Sequence, residues 1–248
     1  MIILLTDFGE SEYVGVMKGV ILSIDSNARI IDLTHSISPQ SVREAAWVLL
    51  KSYRYFPKNS IFVCVVDPGV GTSRDAVLVE TSEYIFIGPD NGLLFPTLTE
   101  LSSYKAYSIT INPTVSSTFH GRDVFAVAAG RYHRGTSAEE LGIPLNSLSV
   151  PLVFHYQENS GEVVRIDHFG NIVTNIPPTS KNHFWLSVNE KIREISLYTT
   201  YAEGPDTGIF AIIGSAGTIE FSAKNQSAID YLAVEIGDLV TLEEKSSK

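Results

Sequence analysis

The stretch IFVCVVDPGVGTSR, residues 61–74, decides the fold class of this chain. Its first six residues form an unbroken apolar run rich in β-branched side chains, which is typical of a strand buried on both faces of a parallel sheet. The run stops at Asp67 and Pro68, and Gly69 and Gly71 let the backbone double back. We therefore predict a central strand with a tight polar loop at its carboxyl end, where α/β proteins bind ligands.

Outward from this strand, residues 1–150 alternate short apolar runs with amphipathic stretches. This pattern favours an α/β sandwich-type domain with a mostly parallel sheet. Helical spacing is clearest across residues 41–55, which follow a proline and begin with a serine suited to capping. We predict further helices at residues 12–24 and 122–132, and further strands at residues 2–5, 30–33, 76–80 and 84–88.

The character of the sequence changes near residues 144–151. From residue 161 onward, short alternating runs are separated by turn residues and helical patterns are scarce, which indicates a smaller all-β domain, a barrel or a sandwich. We predict two domains, residues 1–150 and residues 151–248. The predicted strands of the second are residues 163–167, 171–175, 192–197, 209–213, 218–222 and 239–242.

Composition narrows the class of protein. A formal net charge of −10 over 248 residues repels phosphate backbones and argues against a nucleic-acid partner. Cys64, the single cysteine, excludes an intramolecular disulfide and lies in an apolar run, so we interpret it as a buried hydrophobic residue. No apolar run approaches the length of a membrane span, so we expect no membrane partner and a cytoplasmic protein.

Three polar segments of the first domain are candidates for chemistry. Asp7, in TDFG (residues 6–9), follows the first predicted strand, where a carboxylate suits ribose hydroxyls or simply shapes the turn into a helix. Asp67 and Arg74 lie at the two ends of the glycine loop, as a structural ion pair or as part of a site. His120, in FHGRD (residues 119–123), precedes an apolar helix and fits either a structural or a catalytic role.

Two segments of the second domain are equally ambiguous. DHFGN, residues 167–171, is typical of a hairpin turn, but Asp167 and Asn171 also suit polar ligand contacts and Phe169 a stacking face. GSAG, residues 214–217, is predicted as a turn, with Glu220 beyond it. The residues alone leave these alternatives open.

Taken together, TDFG, DPGVGTSR, FHGRD and IDHFGNIVTNI resemble, in this order, the S-adenosylmethionine hydroxide adenosyltransferase family. The resemblance covers nearly the whole chain and extends to the fold of the fluorinating and chlorinating enzymes. It implies an α/β domain followed by a smaller β-barrel, and a homotrimer with sites at subunit interfaces. It also implies hydrolysis of S-adenosylmethionine to adenosine and methionine, without a cofactor or a metal.

The resemblance implies specific roles as well. Asp67, Arg74 and His120 would orient the water that attacks C5′ in line, and which of them accepts the proton stays open. The implied substrate contacts are Asp7 at the ribose, Asp167 at the methionine amine, Phe169 and Asn171 at the adenine, and further Phe119, Ser215, Glu220 and Ala223.

Several departures count against halogenation. The halogenating relatives carry tyrosine where this chain has Asp67, serine at Gly121 and tryptophan at Gln40, and an aspartate facing a halide would repel it. The fluorinating relatives carry an arginine for the substrate carboxylate where this chain has Ala216. The group that binds this carboxylate therefore differs here. Two alternatives remain, namely a metal-dependent nucleotide hydrolase that would use Asp67, His120 and Asp123 as ligands, and a nucleoside-binding protein without turnover.

Overall fold

A computed structural model describes residues 1–245 of the chain. Contacts within the chain divide it into two compact units, Met1–Leu152 and Val153–Lys248. The first unit is an α/β domain, and the second is a closed β-barrel. The predicted fold class, an α/β domain followed by a smaller all-β barrel, is thereby confirmed. Among the described residues, no helix is both long and apolar enough to cross a membrane.

The first unit alternates strands and helices through most of its length. Its strands are β1 (Ile2–Thr6), β2 (Ile30–Thr34), β3 (Ile61–Val65), β4 (Ala76–Thr81), β5 (Ile85–Pro89), β6 (Tyr104–Ile109) and β7 (Gly142–Leu145). Its helices are α1 (Glu12–Ile24), α2 (Val42–Ser52), α3 (Phe95–Leu101), α4 (Val127–His133) and α5 (Ala138–Leu141), with a 3₁₀ turn at Tyr53–Tyr55 and a π-helical segment at Gly121–Ala126.

Over the described residues, the sheet has the strand order β2-β1-β3-β5-β4-β6-β7. The pairs β1–β2, β1–β3 and β3–β5 are parallel, whereas β4–β5, β4–β6 and β6–β7 are antiparallel. The sheet is therefore mixed rather than mostly parallel. The parallel half contains β1 and β3, the two strands that lead into TDFG and the glycine loop.

Burial on both faces explains the unbroken apolar run of β3. Ile61, Val63 and Val65 pack on one face of the sheet with α1 and α4, and alternate residues pack on the other face with α2 and α3. In α1, residues Val14, Met17 and Ile21 recur at helical spacing and are all buried. The Ser41 side chain accepts a hydrogen bond from the Glu44 N–H and caps α2, as its sequence predicts.

The second unit contains seven strands within the described residues. They are β8 (Ser160–Ile166), β9 (Ile172–Thr174), β10 (His183–Val188), β11 (Lys191–Tyr198), β12 (Ile209–Ile213), β13 (Ile219–Ala223) and β14 (Leu239–Glu244). They close in the order β10-β11-β12-β13-β9-β8-β14, so no strand is left as an open edge. Phe221, Leu186 and Val163 are among the fully buried residues inside.

Most differences from the sequence-based elements concern short or interrupted stretches. β6, β7, α3 and α5 were not predicted in the first unit, nor was β10 in the second, because each is short or partly polar. The predicted helix at residues 122–132 is instead a π-helical segment followed by α4. That difference matters for the site, because His120 lies directly before the π-helical segment.

Candidate active site

A cavity of about 620 Å³ opens in the first unit where β1, β3 and the π-helical segment end or begin. Its wall brings together four of the sequence-predicted residues, Asp7, Asp67, Phe119 and His120. The rest of its lining is Phe8, Tyr13, Pro39, Gln40, Val65, Pro68, Val70, Ser116, Thr118, Gly121 and Arg122. The loops that follow two neighbouring parallel strands therefore meet at one place, as expected for this class of sheet.

Arg74 joins Asp67 and His120 into one hydrogen-bonded group. Its Nε donates to Asp67 Oδ1 at 3.0 Å, and its Nη2 donates to Asp67 Oδ2, which makes the ion pair bidentate. The same Nη2 lies 2.9 Å from His120 Nδ1. The exposed fractions are 10% for the Arg74 side chain and 5% for that of Asp67, so the pair is largely shielded from water.

The glycine loop needs its glycines to return Arg74 to Asp67. Gly71 has φ +76°, and a Cβ there would lie 2.3 Å from the Ser117 carbonyl oxygen. Turn hydrogen bonds from Val70 N–H to Asp67 O at 3.2 Å and from Thr72 N–H to Gly69 O at 3.1 Å tighten the loop. The sequence indicated that the loop can return Arg74 toward Asp67, and the two side chains are hydrogen-bonded in the structure.

His120 is buried and lies at the start of the π-helical segment. Burial and the adjacent Arg74 guanidinium lower the pKa of His120 below its ordinary value, although Asp67 and Asp123 act in the opposite direction. The imidazole is therefore neutral near neutral pH. Since a guanidinium only donates, His120 Nδ1 accepts from Arg74 and the proton of the neutral ring lies on Nε2.

Asp7 is held by the loop that precedes α2. The Gln40 N–H donates to Asp7 Oδ2 at 2.8 Å, and Gln40 itself has φ 64°. On the other side of Asp7, the Thr6 hydroxyl lies 2.9 Å from His35 Nδ1 and accepts from the Phe8 N–H at 3.2 Å. One carboxylate oxygen of Asp7 thus has a fixed partner, while its side chain still lines the cavity.

Three aromatic rings form one apolar side of this cavity. Phe119 contacts Tyr13 with ring centroids 4.9 Å apart and Phe8 with centroids 6.1 Å apart, both edge to face. The Arg122 guanidinium lies 5.2 Å from the centre of the Phe119 ring and pairs with Asp123 at 2.6 Å. Asp123 is therefore already neutralised and is a poor candidate for a metal ligand.

The second unit has a cavity of its own, of about 1000 Å³. It gathers all six residues predicted there from the sequence. They are Asp167, Phe169, Asn171, Ser215, Glu220 and Ala223, and the remaining lining is Tyr201, Ala202, Lys224, Asn225, Gln226 and Ser227. Phe169 is 74% exposed, so its ring is available to stack on a planar ligand.

Asp167 and Asn171 form a turn that also presents polar atoms. Asp167 Oδ1 accepts from the N–H groups of Phe169 and Asn171, both at 2.9 Å, and its Oδ2 accepts from Asn171 Nδ2 at 2.9 Å. Gly170 is required within this turn, because it has φ +80° and a Cβ would lie 2.0 Å from Ser227 Oγ. The hairpin and ligand-contact readings of this segment are compatible.

Glu220 is a buried carboxyl group in the same cavity. Burial raises its pKa, and hydrogen bonds from Tyr201 Oη at 2.8 Å and Ser222 Oγ at 3.0 Å only partly offset that effect. Burial and the carboxylate together raise the pKa of Tyr201 to about 12, so the phenol stays protonated and donates. Tyr201 has no motif around it, and sequence reasoning missed it.

Other lining residues were also missed. Tyr13 lies on a helix that reads as an ordinary amphipathic segment, and Lys224 lies beyond a barrel strand. No local pattern separates these residues from surface positions, because their place is set by chain folding. Over the described residues, no group of three or more His, Cys, Asp or Glu side chains could hold a metal ion.

Comparison with known proteins gives the family. The model of the SAM hydroxide adenosyltransferase N-terminal domain matches residues 2–142, and that of the C-terminal domain matches residues 161–241. The chain belongs to the SAM hydroxide adenosyltransferase family. Both halves of the family's domain pair are present, in the order that the sequence analysis predicts.

Individual relatives match this chain over nearly the whole of both sequences. The (R)-S-adenosyl-L-methionine hydrolase of Methanocaldococcus jannaschii is 36% identical, covering 98% of this chain and 95% of that one. The fluorinase of Actinoplanes sp. is 25% identical, covering 93% of each. A crystal structure of a conserved protein from Thermotoga maritima has a TM-score of 0.89 at 34% identity, covering 98% of this chain and all of that one.

Proposed function

We propose that this protein hydrolyses S-adenosyl-L-methionine to adenosine and L-methionine. The observation that carries the proposal is the Asp67–Arg74–His120 group, in which Asp67 and His120 line the first-unit cavity and Arg74 links them by hydrogen bonds. Asp67 also supports hydrolysis over halogenation, since a carboxylate at this wall repels a halide and accepts a hydrogen bond from water. Full-length relatives named as hydrolases are more similar to this chain than the fluorinase.

The leaving group of this reaction needs no acid catalyst. A sulfonium departs as a neutral thioether, so no acid has to protonate sulfur. The difficulty is the nucleophile, because water attacks carbon poorly. Orienting one water behind C5′ in a near-attack geometry is worth about 7–11 kcal/mol at best. The oxygen–C5′ bond forms as the C5′–sulfur bond breaks, and the water gives up one proton.

The hydrogen-bond pattern divides the roles within the group. His120 Nε2–H is a donor, because Nδ1 is occupied by Arg74, so His120 orients the water through its oxygen. Arg74 Nη1 is buried with no acceptor among the described residues, which leaves an N–H for developing hydroxide character. Asp67 contributes only acceptor atoms, so we assign proton acceptance to Asp67.

The substrate contacts follow the two cavities. We assign Asp7 to the ribose hydroxyls and Phe119 to the apolar wall beside them. In the second unit we assign Asp167 to the methionine amine, and Phe169 and Asn171 to the adenine. Ser215, Glu220 and Ala223 complete the proposed contacts of that cavity. The homotrimer with sites at subunit interfaces and the cytoplasmic location remain proposals, which light scattering and cell fractionation test.

The sulfonium configuration is part of the proposal. The hydrolase of Methanocaldococcus jannaschii carries the (R) epimer in its name. We propose that this protein likewise prefers (R)-S-adenosyl-L-methionine. In-line attack requires water, C5′ and sulfur to be collinear, and inversion at sulfur moves the methionine chain while leaving adenosine in place. Separate incubations with each epimer would give a higher kcat/KM for the (R) form.

The decisive experiment uses purified protein and S-adenosylmethionine in ¹⁸O-water, with products analysed by mass spectrometry. We expect labelled adenosine and unlabelled methionine, and no reaction with the Asp67→Asn variant. Unlabelled adenosine would contradict attack at C5′. Intact substrate with adenosine bound tightly would instead support the binding-protein alternative.

A further inference from the structure

We propose that Asn91 is a positioning residue for the Asp67–Arg74 pair. Asn91 belongs to GPDNG, residues 88–92, a segment at the end of β5 that no part of the site uses directly. This segment holds both ends of the glycine loop 67–74 by hydrogen bonds. The inference rests on the proposed function only for the reaction that its kinetic test measures. The geometry of the Asp67–Arg74 pair does not depend on that function.

Asn91 holds the start of the loop. Its Nδ2 donates to the Val66 carbonyl oxygen at 2.8 Å, and Val66 is the fully buried residue directly before Asp67. The Leu93 N–H donates to Asn91 Oδ1 at 3.2 Å, which fixes the orientation of the amide. Because a peptide unit is planar, restraining the Val66 carbonyl also restrains the backbone nitrogen of Asp67.

The same segment holds the end of the loop. The Asp90 N–H donates to the Asp75 carbonyl oxygen at 2.9 Å, directly after Arg74. Asp75 Oδ1 in turn accepts from Ser108 Oγ on β6 at 2.6 Å. Gly88 allows the close approach that this requires, since a Cβ there would lie 2.5 Å from the Cys64 carbonyl oxygen.

The two ends of the loop are therefore restrained by the segment after β5 as well as by the loop's own hydrogen bonds. The Asp67 and Arg74 side chains are 5% and 10% exposed, so a displaced pair has little water to compensate for lost hydrogen bonds. Asn91 is absent from the cavity lining, so its effect on turnover passes through Val66 and Asp67. A misplacement of about 1 Å at a reacting group can cost about 100-fold in rate.

The test compares Asn91→Ala with Asn175→Ala. Asn175 makes the same kind of bridge in the barrel, because its Nδ2 donates to His155 O at 2.7 Å and its Oδ1 accepts from Glu162 N–H at 2.8 Å. For Asn91→Ala we expect kcat to fall about 10–100-fold, while KM stays within about threefold because binding groups are untouched. Asn175→Ala should leave kcat unchanged.

A second readout does not depend on turnover. Burial and the adjacent Arg74 guanidinium both lower the pKa of His120. If Arg74 moves away in Asn91→Ala, that pKa, followed by NMR of the ring protons, should rise. If Asn91→Ala fails to fold, Asn91→Asp keeps the acceptor for Leu93 and replaces the donor to Val66 with a carboxylate oxygen, which cannot donate. Wild-type kcat and an unshifted His120 titration in a folded Asn91 variant would overturn the inference. A wild-type protein that leaves S-adenosylmethionine intact would refute the proposed function, and the titration would still decide the inference.

Discussion

At the scale of single residues, Arg74 matters because of its shape as well as its charge. One guanidinium donates to both oxygens of Asp67 and lies against His120 Nδ1, which a lysine ammonium cannot reproduce at those positions. We expect Arg74→Lys to lower kcat by about 100-fold or more. Steady-state kinetics check this, with Arg54→Lys as control, since Arg54 forms an exposed pair with Glu100 and should leave kcat unchanged.

His120 should act as a hydrogen-bond donor rather than as a base. We therefore expect His120→Gln, which retains an N–H donor, to keep more activity than His120→Ala, whose kcat should fall by about 10²–10⁴-fold. His133→Ala is the matched control, because His133 pairs with Asp25 at 2.7 Å and lies outside the cavity lining. Equal losses in both His120 variants would contradict the donor role.

The pH dependence follows from the lowered pKa of His120. Burial and Arg74 hold it below its ordinary value of 6.5, so the active neutral ring persists at and above that pH. We expect kcat/KM to be flat near neutral pH and to fall only as the pH drops below 6.5 toward the folded-state pKa of the free protein. The free energy of unfolding should also fall as the pH drops through this range. His120 has the higher pKa in the unfolded chain, so the unfolded chain binds the proton first. A pH–rate profile of wild type and His120→Gln checks this, and the acid limb should change in the variant.

At the scale of elements, α3 ends with a residue in an unfavourable conformation. Ser102, the C-terminal cap, has φ 67°, and its N–H donates to Leu98 O. Glycine adopts this left-handed conformation without steric cost, so Ser102→Gly should raise the free energy of unfolding by about 0.5–1 kcal/mol. The neighbouring Ser103→Gly lacks that benefit and should lower it slightly. Denaturant unfolding of both variants tests the difference, and equal effects would contradict it.

The elements also show how far local sequence information reaches. The helix Glu12–Ile24 and the strand Ile209–Ile213 were predicted with their exact bounds, because their apolar spacing is regular and turn residues flank them. β10 was missed, since its six residues mix histidine, serine and apolar side chains and pair through long-range contacts. The π-helical segment is invisible to periodicity analysis, because one altered turn barely changes the spacing.

At the scale of the whole molecule, activity should not require a metal ion. Two carboxylates in or beside the Asp67–Arg74–His120 group are already paired, Asp67 with Arg74 and Asp123 with Arg122. We expect full turnover after exhaustive dialysis against a chelator, measured as adenosine release. Loss of activity that added Mg²⁺ or Mn²⁺ restores would favour the metal-dependent hydrolase instead.

The sequence predicted the separate segments of the candidate site, but not which of their side chains contact one another. DPGVGTSR predicts that Arg74 returns to Asp67, because a seven-residue separation closed by glycines is a local property. The Arg74–His120 contact joins residues 46 positions apart, and no spacing rule encodes it. The hydrogen bonds from Tyr201 to Glu220 and from Asn91 to Val66 join residues 19 and 25 positions apart, which is also beyond the reach of any local pattern.

What the sequence by itself determined is the class of each domain and the loops that are candidates for chemistry, because apolar periodicity and turn residues act over a few neighbouring positions. What only the tertiary structure decided is the mixed sheet, the π-helical segment before which His120 lies, and the set of residues that share each cavity. Those depend on which distant strands pair and which side chains are buried together. Hydrogen bonds and desolvation at such contacts then set properties such as the lowered pKa of His120.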